Sequence, residues 1–336
     1  MMPRSPQTLS RRMLLAASFA AAAEPALAQP AWPVRPLRLI VPFPPGTTPD
    51  TLARALAPHL SASLGQPGQA QALAVVVENR PGAAGRVGAE ATARATDGHS
   101  FGIGNNSSIA TAKAMVPNLA YDPLHDLRPV ALLVRTPQVL VVSGSTSVAT
   151  VAAFTEAARR RPGGLSYASI GAGSASHLAM EEFALGAGIQ LVHVPYGGFP
   201  QAVLDLLAGR IDAMFCPIAA VLPQIAEGRL RGVAVTAETR AAQIPEVPTL
   251  GEAGVPNAVS FGWNGLFAPQ STPPAVITRV AEACRTALAG AATRATLERA
   301  GFDVGWMGPD AFTDFVATEV ERWGGLIQRL GIRADG

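Results

Sequence analysis

The stretch Leu37-Arg38-Leu39-Ile40-Val41-Pro42-Phe43-Pro44-Pro45-Gly46-Thr47-Thr48-Pro49-Asp50 runs from an apolar strand signal, through a proline-stiffened turn, into an amphipathic segment beginning at Thr51. Thr48 suits an N-cap, Pro49 the first helical position and Asp50 the first turn, so a strand–loop–helix unit is expected. That geometry presents backbone N–H groups and the positive end of a helix to an anion. The same residues would also serve a merely well-capped helix.

Working outward, short apolar runs alternate with helical periodicity. Candidate strands are 37–41, 75–77, 101–103, 130–133, 139–142, 166–169, 191–194, 213–215 and 232–236. The alternation predicts an α/β architecture with parallel-dominated sheets flanked by helices. Leu39-Ile40-Val41 and Val75-Val76-Val77 read as fully buried parallel strands. Residues 274–288, 293–300 and 310–330 read as helices, with no strand signal of comparable strength among them.

Upstream, Ser10-Arg11-Arg12-Met13-Leu14-Leu15 leads an Ala-rich segment that closes on Ala26-Leu27-Ala28. This is the pattern of a twin-arginine export signal with an A-x-A cleavage site, so residues 1–28 are expected to be a leader and Gln29 the first mature residue, with the unfolded (Sec) route as the alternative because twin arginines also occur in ordinary signals. The apolar segment is shorter than the roughly 20 residues that span a bilayer. The chain has 26 basic and 24 acidic residues, and removal of Arg4, Arg11, Arg12 and Glu24 leaves the remainder formally neutral. Nothing in that balance favours a nucleic-acid or membrane-surface binder. Some 300 residues exceed one comfortable core, so two domains are expected. Cys216 and Cys284 are far apart in sequence, and an exported location allows a disulfide between them without requiring one, buried free thiols being the preferred reading; no Cys/His cluster has metal-ligand spacing, so neither metal nor cofactor is expected.

In open α/β sheets ligands bind beyond the carboxyl ends of strands. Three further loops at such places are rich in small polar residues: Gly104-Asn105-Asn106-Ser107-Ser108, Gly171-Ala172-Gly173-Ser174-Ala175-Ser176-His177 and Pro195-Tyr196-Gly197-Gly198. Each alone reads as a cap or turn, whereas four at equivalent positions read as a site. Catalytic alternatives fit less well. Gly171-Ala172-Gly173-Ser174-Ala175 lacks the G-x-S-x-G order of a nucleophile elbow. Gly82-Ala83-Ala84-Gly85-Arg86-Val87-Gly88 has G-x-x-G-x-x-G spacing, which is not a dinucleotide fingerprint, and helix-on-sheet packing accounts for its glycines. His193, inside an apolar strand, reads as a satisfied core histidine.

Several segments recur together in a familiar order. They are Ile40 to Gly46 with Asp50 and Ala53-Arg54, then Val76 to Gly85, Asp97-Gly98-His99, and Gly171 to Ser174 with His177-Leu178. His193 to Gly198, Asp205-Leu206, Gly209 to Asp212 and Pro245 to Gly254 follow. With an export signal in front, the chain resembles the Bug (TctC-like) family of periplasmic solute-binding proteins over essentially all of its mature length. The resemblance implies a two-domain type II periplasmic-binding-protein (Venus flytrap) fold, with a first domain of 29–135 and 261–336 and a second of 136–260. It also implies a non-enzymatic, monomeric protein that captures a small carboxylate between the domains, for a membrane permease of the tripartite tricarboxylate type or for sensing. An exported α/β hydrolase or dehydrogenase is the alternative.

On this reading the first domain offers Phe43, Pro45, Gly46, Thr47, Thr48, Ser107 and Ser108, with Asp50 bracing the loop or meeting a ligand hydroxyl or amine. The second offers Gly171, Gly173, Ser174, Ala175, His177, Tyr196, Gly197 and Asp212. Four or five N–H and O–H donors suffice for a carboxylate without a cationic side chain, since a hydrogen bond to a charged group is worth about 1.5–3 kcal/mol. Three departures from the family pattern stand out: Thr47 where a second glycine is usual, Gly197 where lysine is frequent, and an insertion over 68–74.

Overall fold

The computed structural model describes residues 32–65, 73–161, 163–256 and 258–333. The expected leader over 1–28, and all of the 68–74 insertion except Leu73 and Ala74, lie outside the described residues.

From Arg35 onward the chain forms one compact unit. In chain order the elements begin β1 (Leu37–Val41), α1 (Thr48–Leu64), β2 (Val75–Asn79), α2 (Arg86–Ala93) and β3 (Ser100–Asn105). A π-helical turn (Asn106–Ala110), α3 (Ala112–Met115), β4 (Leu127–Ser143), α4 (Val151–Arg160), β5 (Leu165–Ser169) and α5 (Ala175–Ala187) follow. Next come β6 (Leu191–Pro195), α6 (Phe199–Leu207), β7 (Ala213–Pro217), α7 (Leu222–Ala226) and β8 (Leu230–Val235). The chain closes with β9 (Phe261–Pro269), α8 (Pro274–Ala289), α9 (Ala291–Arg299), β10 (Asp303–Met307) and α10 (Pro309–Leu330).

The strand order is β2-β1-β3-β9-β4-β7-β5-β6, with β8 and β10 also paired to β4. Parallel pairing is confined to the flanks, β2-β1-β3 on one side and β7-β5-β6 on the other. The centre, built on β4 and β9, is antiparallel, so the sheet is mixed rather than parallel-dominated. The cause is β4 itself: the runs 130–133 and 139–142 form one 17-residue strand. From Leu127 to Pro137 it pairs with β9, and from Gln138 onward with β7 and β8.

Two further expectations are corrected. Val75-Val76-Val77 is an edge strand paired only to β1, with Val76 half exposed. The last quarter of the chain contributes β9 and β10, whose Gly262, Gly265 and Gly305 interrupt the apolar pattern that would have announced them. Gly265 has a packing reason, because a Cβ there would stand 2.1 Å from the Phe312 ring of α10.

Trp263, Phe267, Phe312 and Trp323 form the core beneath α10. Phe154, Tyr167, Phe183 and Phe215 form the core of the β5–β7 side. Leu178 of α5 packs into the former, so the first turn of α5 bridges the two. Cys216 and Cys284 are free and buried, and burial raises both thiols, that of Cys284 to about 12.

Candidate functional site

The first loop is held from within. Helix α1 starts at Thr48 with Thr47 as its cap residue, one position earlier than the proline pattern suggests. Thr47 does not cap through its side chain: its hydroxyl donates to the Pro44 carbonyl at 2.7 Å and closes the turn. Gly46 takes φ +81°, which favours glycine. Asp50, 2% exposed, accepts the Gly46 N–H at 2.9 Å, the Arg54 guanidinium at 2.9 Å and the Asn79 carboxamide at 2.9 Å. Burial alone would raise its pKa, but hydrogen bonds from Arg54, Gly46 and Asn79 outweigh it and hold the carboxyl below its ordinary value. Asn79 also donates to the Phe43 carbonyl at 3.0 Å. Bracing is therefore the role Asp50 performs here. The Thr48 hydroxyl, on the exposed side, bonds no other described residue.

Two neighbouring segments complete this side. Residues Gly82, Ala83, Ala84 and Gly85 all have positive φ, a left-handed turn that brings Gly85 against Phe43 and Ser108. A Cβ on Gly88 would stand 2.6 Å from Pro42 Cα, so close helix-on-strand packing explains that glycine, whereas Gly82 and Gly85 serve the backbone. At the end of β3, Asn105 and Ser108 form a reciprocal capping box over the π-helical turn. That leaves the half-buried Ser107 hydroxyl without a bond to another described residue. Single π turns of this kind concentrate at functional sites.

The second loop is equally tied. Gly171 and Gly173 have φ +106° and +75°. Ser174, 3% exposed, is the N-cap of α5: its hydroxyl accepts the His177 N–H at 3.4 Å and donates to the Gly171 carbonyl at 2.6 Å. His177 Nδ1 accepts the Gly173 N–H at 3.1 Å, which requires that nitrogen to be unprotonated. Burial, then the neighbouring His193, drives the His177 pKa down to about 3, so the ring is neutral. It stacks on His193 with centroids 4.1 Å apart, and His193 stacks on Tyr167 at 5.1 Å. His193 Nε2 meets the Ser169 hydroxyl at 2.6 Å, as a satisfied histidine should. The N–H groups of Ala175 and Ser176, at the start of α5, have no intrahelical acceptor.

The two loop groups meet at Thr111. Its hydroxyl, one turn beyond Ser107, lies 3.3 Å from the Gly173 carbonyl, and a Cβ on Gly173 would stand 3.0 Å from that hydroxyl. Ala175 faces β9, where a Cβ on Gly262 would stand 3.5 Å from its own Cβ. Behind Thr111, Glu319 of α10 accepts both indole N–H groups, Trp263 at 2.9 Å and Trp323 at 2.8 Å, on one oxygen. Asn106 donates to that oxygen at 3.4 Å and accepts the Trp263 backbone N–H at 3.1 Å. Arg322, a turn away, binds Glu182 of α5 at 2.6 Å and the Val259 carbonyl at 2.6 Å.

The structure therefore brings Phe43, Ser107, Ser108, Gly173, Ser174, Ala175 and His177 together, with the Gly46–Asp50 turn continuing from Phe43. It does not bring Asp212, which sits at the opposite, N-terminal end of β5 and β7, accepting from Ser166 and Arg161. Tyr196 stands at the carboxyl end of β6, but its hydroxyl donates to Asp205 at 2.8 Å, and the adjacent Gly197 is exposed. Thr111, Asn79, Gly85 and Glu319 are essential to the arrangement and were not nominated from sequence. Asn79 and Gly85 fall in the Val76 to Gly85 motif, whereas nothing local marks Thr111 or Glu319. Two surface hollows, of about 610 and 760 Å³, lie elsewhere: one between α1 and α8, the other beside α4 and Glu252. Among the described residues, no group of three or more His, Cys, Asp or Glu could hold a metal ion, and no helix is long and apolar enough to cross a membrane.

Comparison with known proteins places the chain as a whole. Residues 52–332 match the family described as "Tripartite tricarboxylate transporter family receptor". Protein BugT of Bordetella pertussis is 36% identical over 304 residues, 90% of this chain and 91% of its own. The structure of periplasmic binding protein BugD superposes with a TM-score of 0.76 at 29% identity, covering 90% of this chain and all of that one. Rpa4515 of R. palustris with adipate gives 0.78 at 33% identity, covering 90% and 99%. The chain belongs to the tripartite tricarboxylate transporter receptor (TctC/Bug) family.

Proposed function

We propose that this protein is a periplasmic receptor that binds a small carboxylate between its two loop groups without chemical turnover. The observation that carries the reading is the 3.3 Å hydrogen bond from the Thr111 hydroxyl to the Gly173 carbonyl, which joins the helical segment that follows Ser107 to the loop that starts α5. The donors available to an anion there are the Thr48 and Ser107 hydroxyls and the first N–H groups of α5. Gly46, Thr47, Gly173 and Ser174 shape the loops that carry them. Two helix N-termini, those of α1 and α5, add favourable dipole ends.

In this reading the chain has two lobes, 29–135 with 261–336 and 136–260, crossing near Arg135–Val139 and Val259–Trp263. The change of partners along β4 at Pro137 and Gln138 supports those boundaries. Export follows the twin-arginine route, the protein acts as a monomer, and it delivers its ligand to a permease of the tripartite type. The carboxylate-bearing Rpa4515 structure, similar over nine-tenths of this chain, supports the ligand class.

A calorimetric and thermal-shift screen of the mature protein against mono-, di- and tricarboxylates tests this. Saturable stabilisation by an acid that is recovered unchanged is expected. Turnover of a substrate with no carboxylate-induced shift would overturn it.

A further inference from the structure

Arg322 of α10 stands where three elements meet. One of its terminal nitrogens, Nη2, reaches both carboxylate oxygens of Glu182 on α5, at 2.6 and 2.7 Å, and the Val259 carbonyl at 2.6 Å. Its guanidinium lies over the Trp323 ring, 4.4 Å from the ring centre, which fixes its plane. The other terminal nitrogen is 3.9 Å from Glu319, one turn earlier on the same helix. In the two-lobe reading, α10 belongs to the first lobe and α5 to the second, and Val259 opens the second crossing. Pairs such as Lys113–Asp122 and Arg161–Asp212 each stay within one lobe, whereas Arg322–Glu182 joins the two.

The two acidic partners of Arg322 lead to the two loop groups. Glu319 accepts the Asn106 carboxamide at 3.4 Å, and Asn106 begins the π-helical turn that carries Ser107. Glu182 lies on the helix whose first turn offers the Ala175 and Ser176 N–H groups, roughly 10 Å further along its axis. Leu178, one turn before Glu182, packs into the core beneath α10, so apolar contact and ion pair fix α5 together. The chain Glu319–Arg322–Glu182 therefore ties the same two groups that Thr111 and Gly173 join directly.

We propose that Arg322 is a positioning residue for ligand binding: it touches no ligand, but by holding Glu182 and the Val259 carbonyl it keeps the first turn of α5 set against the Ser107 turn. The inference rests on the carboxylate reading above. A protein that collects donors from two separate segments binds only in the fraction of molecules that have both in place, and its apparent affinity is reduced by that fraction. Losing a tie between the segments lowers that fraction. Losing stability alone does not, because a chain that is still overwhelmingly folded binds with the affinity of the folded state.

The test is titration calorimetry of the purified mature protein with acetate, succinate, adipate and citrate, beside chemical denaturation of the same variants. Arg322→Ala should bind the acid that the unaltered protein binds best about tenfold or more weakly. Arg322→Ala combined with Glu182→Leu removes the stranded carboxylate and regains part of the stability, yet it should bind as weakly; it carries the test alone if the single variant does not fold. Arg322→Lys, which keeps a cation within reach of Glu182 and Val259, should stay within about threefold of the unaltered protein. Affinities within about twofold of the unaltered protein in the alanine variants, shown to be folded by circular dichroism, would overturn the positioning role and leave the carboxylate reading standing. Failure of the unaltered protein to bind any of these acids would overturn both.

Discussion

The Asp50 carboxylate accepts the Gly46 N–H at 2.9 Å, so a donor that a strand–loop–helix turn would ordinarily offer to an anion is turned inward instead. The same carboxylate holds Asn79 and Arg54, and through Asn79 it fixes the Phe43 carbonyl. Rigidity of the loop is thereby gained at the expense of free donors, and in the proposed carboxylate site the anion is left to the exposed hydroxyl of Thr48. Asp50→Ala strands the Gly46 N–H and the Asn79 amide, so a stability loss of about 2 kcal/mol is expected by chemical denaturation. Carboxylate affinity should fall with it.

Thr48→Ala and Ser107→Ala remove two loop hydroxyls that bond no other described residue. Each should weaken carboxylate binding by about 1–3 kcal/mol in calorimetry while leaving the unfolding midpoint nearly unchanged. Unaltered affinity in both would remove these groups from the site.

Ser174→Ala should behave in the opposite way. Its hydroxyl is already engaged with Gly171 and His177, so the expected cost is about 1 kcal/mol of stability, that of a lost N-cap. An affinity loss larger than the stability loss would show the hydroxyl meeting the ligand directly.

His177 links the second loop to pH. Its folded pKa, about 3, lies below the ordinary 6.5, so between those values the unfolded chain binds the proton that the folded chain refuses. Its contribution is complete above pH 6.5 and is lost as pH falls toward 3, at up to about 1.4 kcal/mol per pH unit. His177→Gln keeps an acceptor for the Gly173 N–H but cannot titrate. Unfolding free energies measured from pH 7 to 4 should fall less steeply in that variant.

Arg322 and Glu182 form a partly buried pair, their side chains 34% and 16% exposed. Arg322→Ala leaves Glu182 without its cation in a setting where burial already raises its pKa. With the arginine a third exposed, a loss of about 2 kcal/mol is expected, less than for a fully buried pair. Adding Glu182→Leu to Arg322→Ala should recover part of it, read as the coupling term of a double-mutant cycle.

The legible parts were those with local causes. The strand Leu37–Val41, the helix starting beside Pro49 and the cap at Ser174 follow from apolar runs, proline and a hydroxyl in place. The four polar loops were found because carboxyl ends of strands can be inferred from alternation. What escaped depends on distant partners. Gly265 breaks the β9 pattern because Phe312 crowds it, and Val76 looks buried until its strand proves to be an edge. Tyr196 and Asp212 are polar residues in the right motifs whose hydrogen bonds are taken by Asp205, Ser166 and Arg161. Thr111 and Glu319 carry no local signature, since their role exists only once α10 lies across the π-helical turn.

Glu319 gathers the indole N–H groups of Trp263 and Trp323 onto one oxygen, to which Asn106, the residue before Ser107, also donates. Any shift of the Asn106 turn must alter the polarity felt by both indoles. The protein thus contains its own optical reporter, and its intrinsic emission should register occupancy of the site without a label.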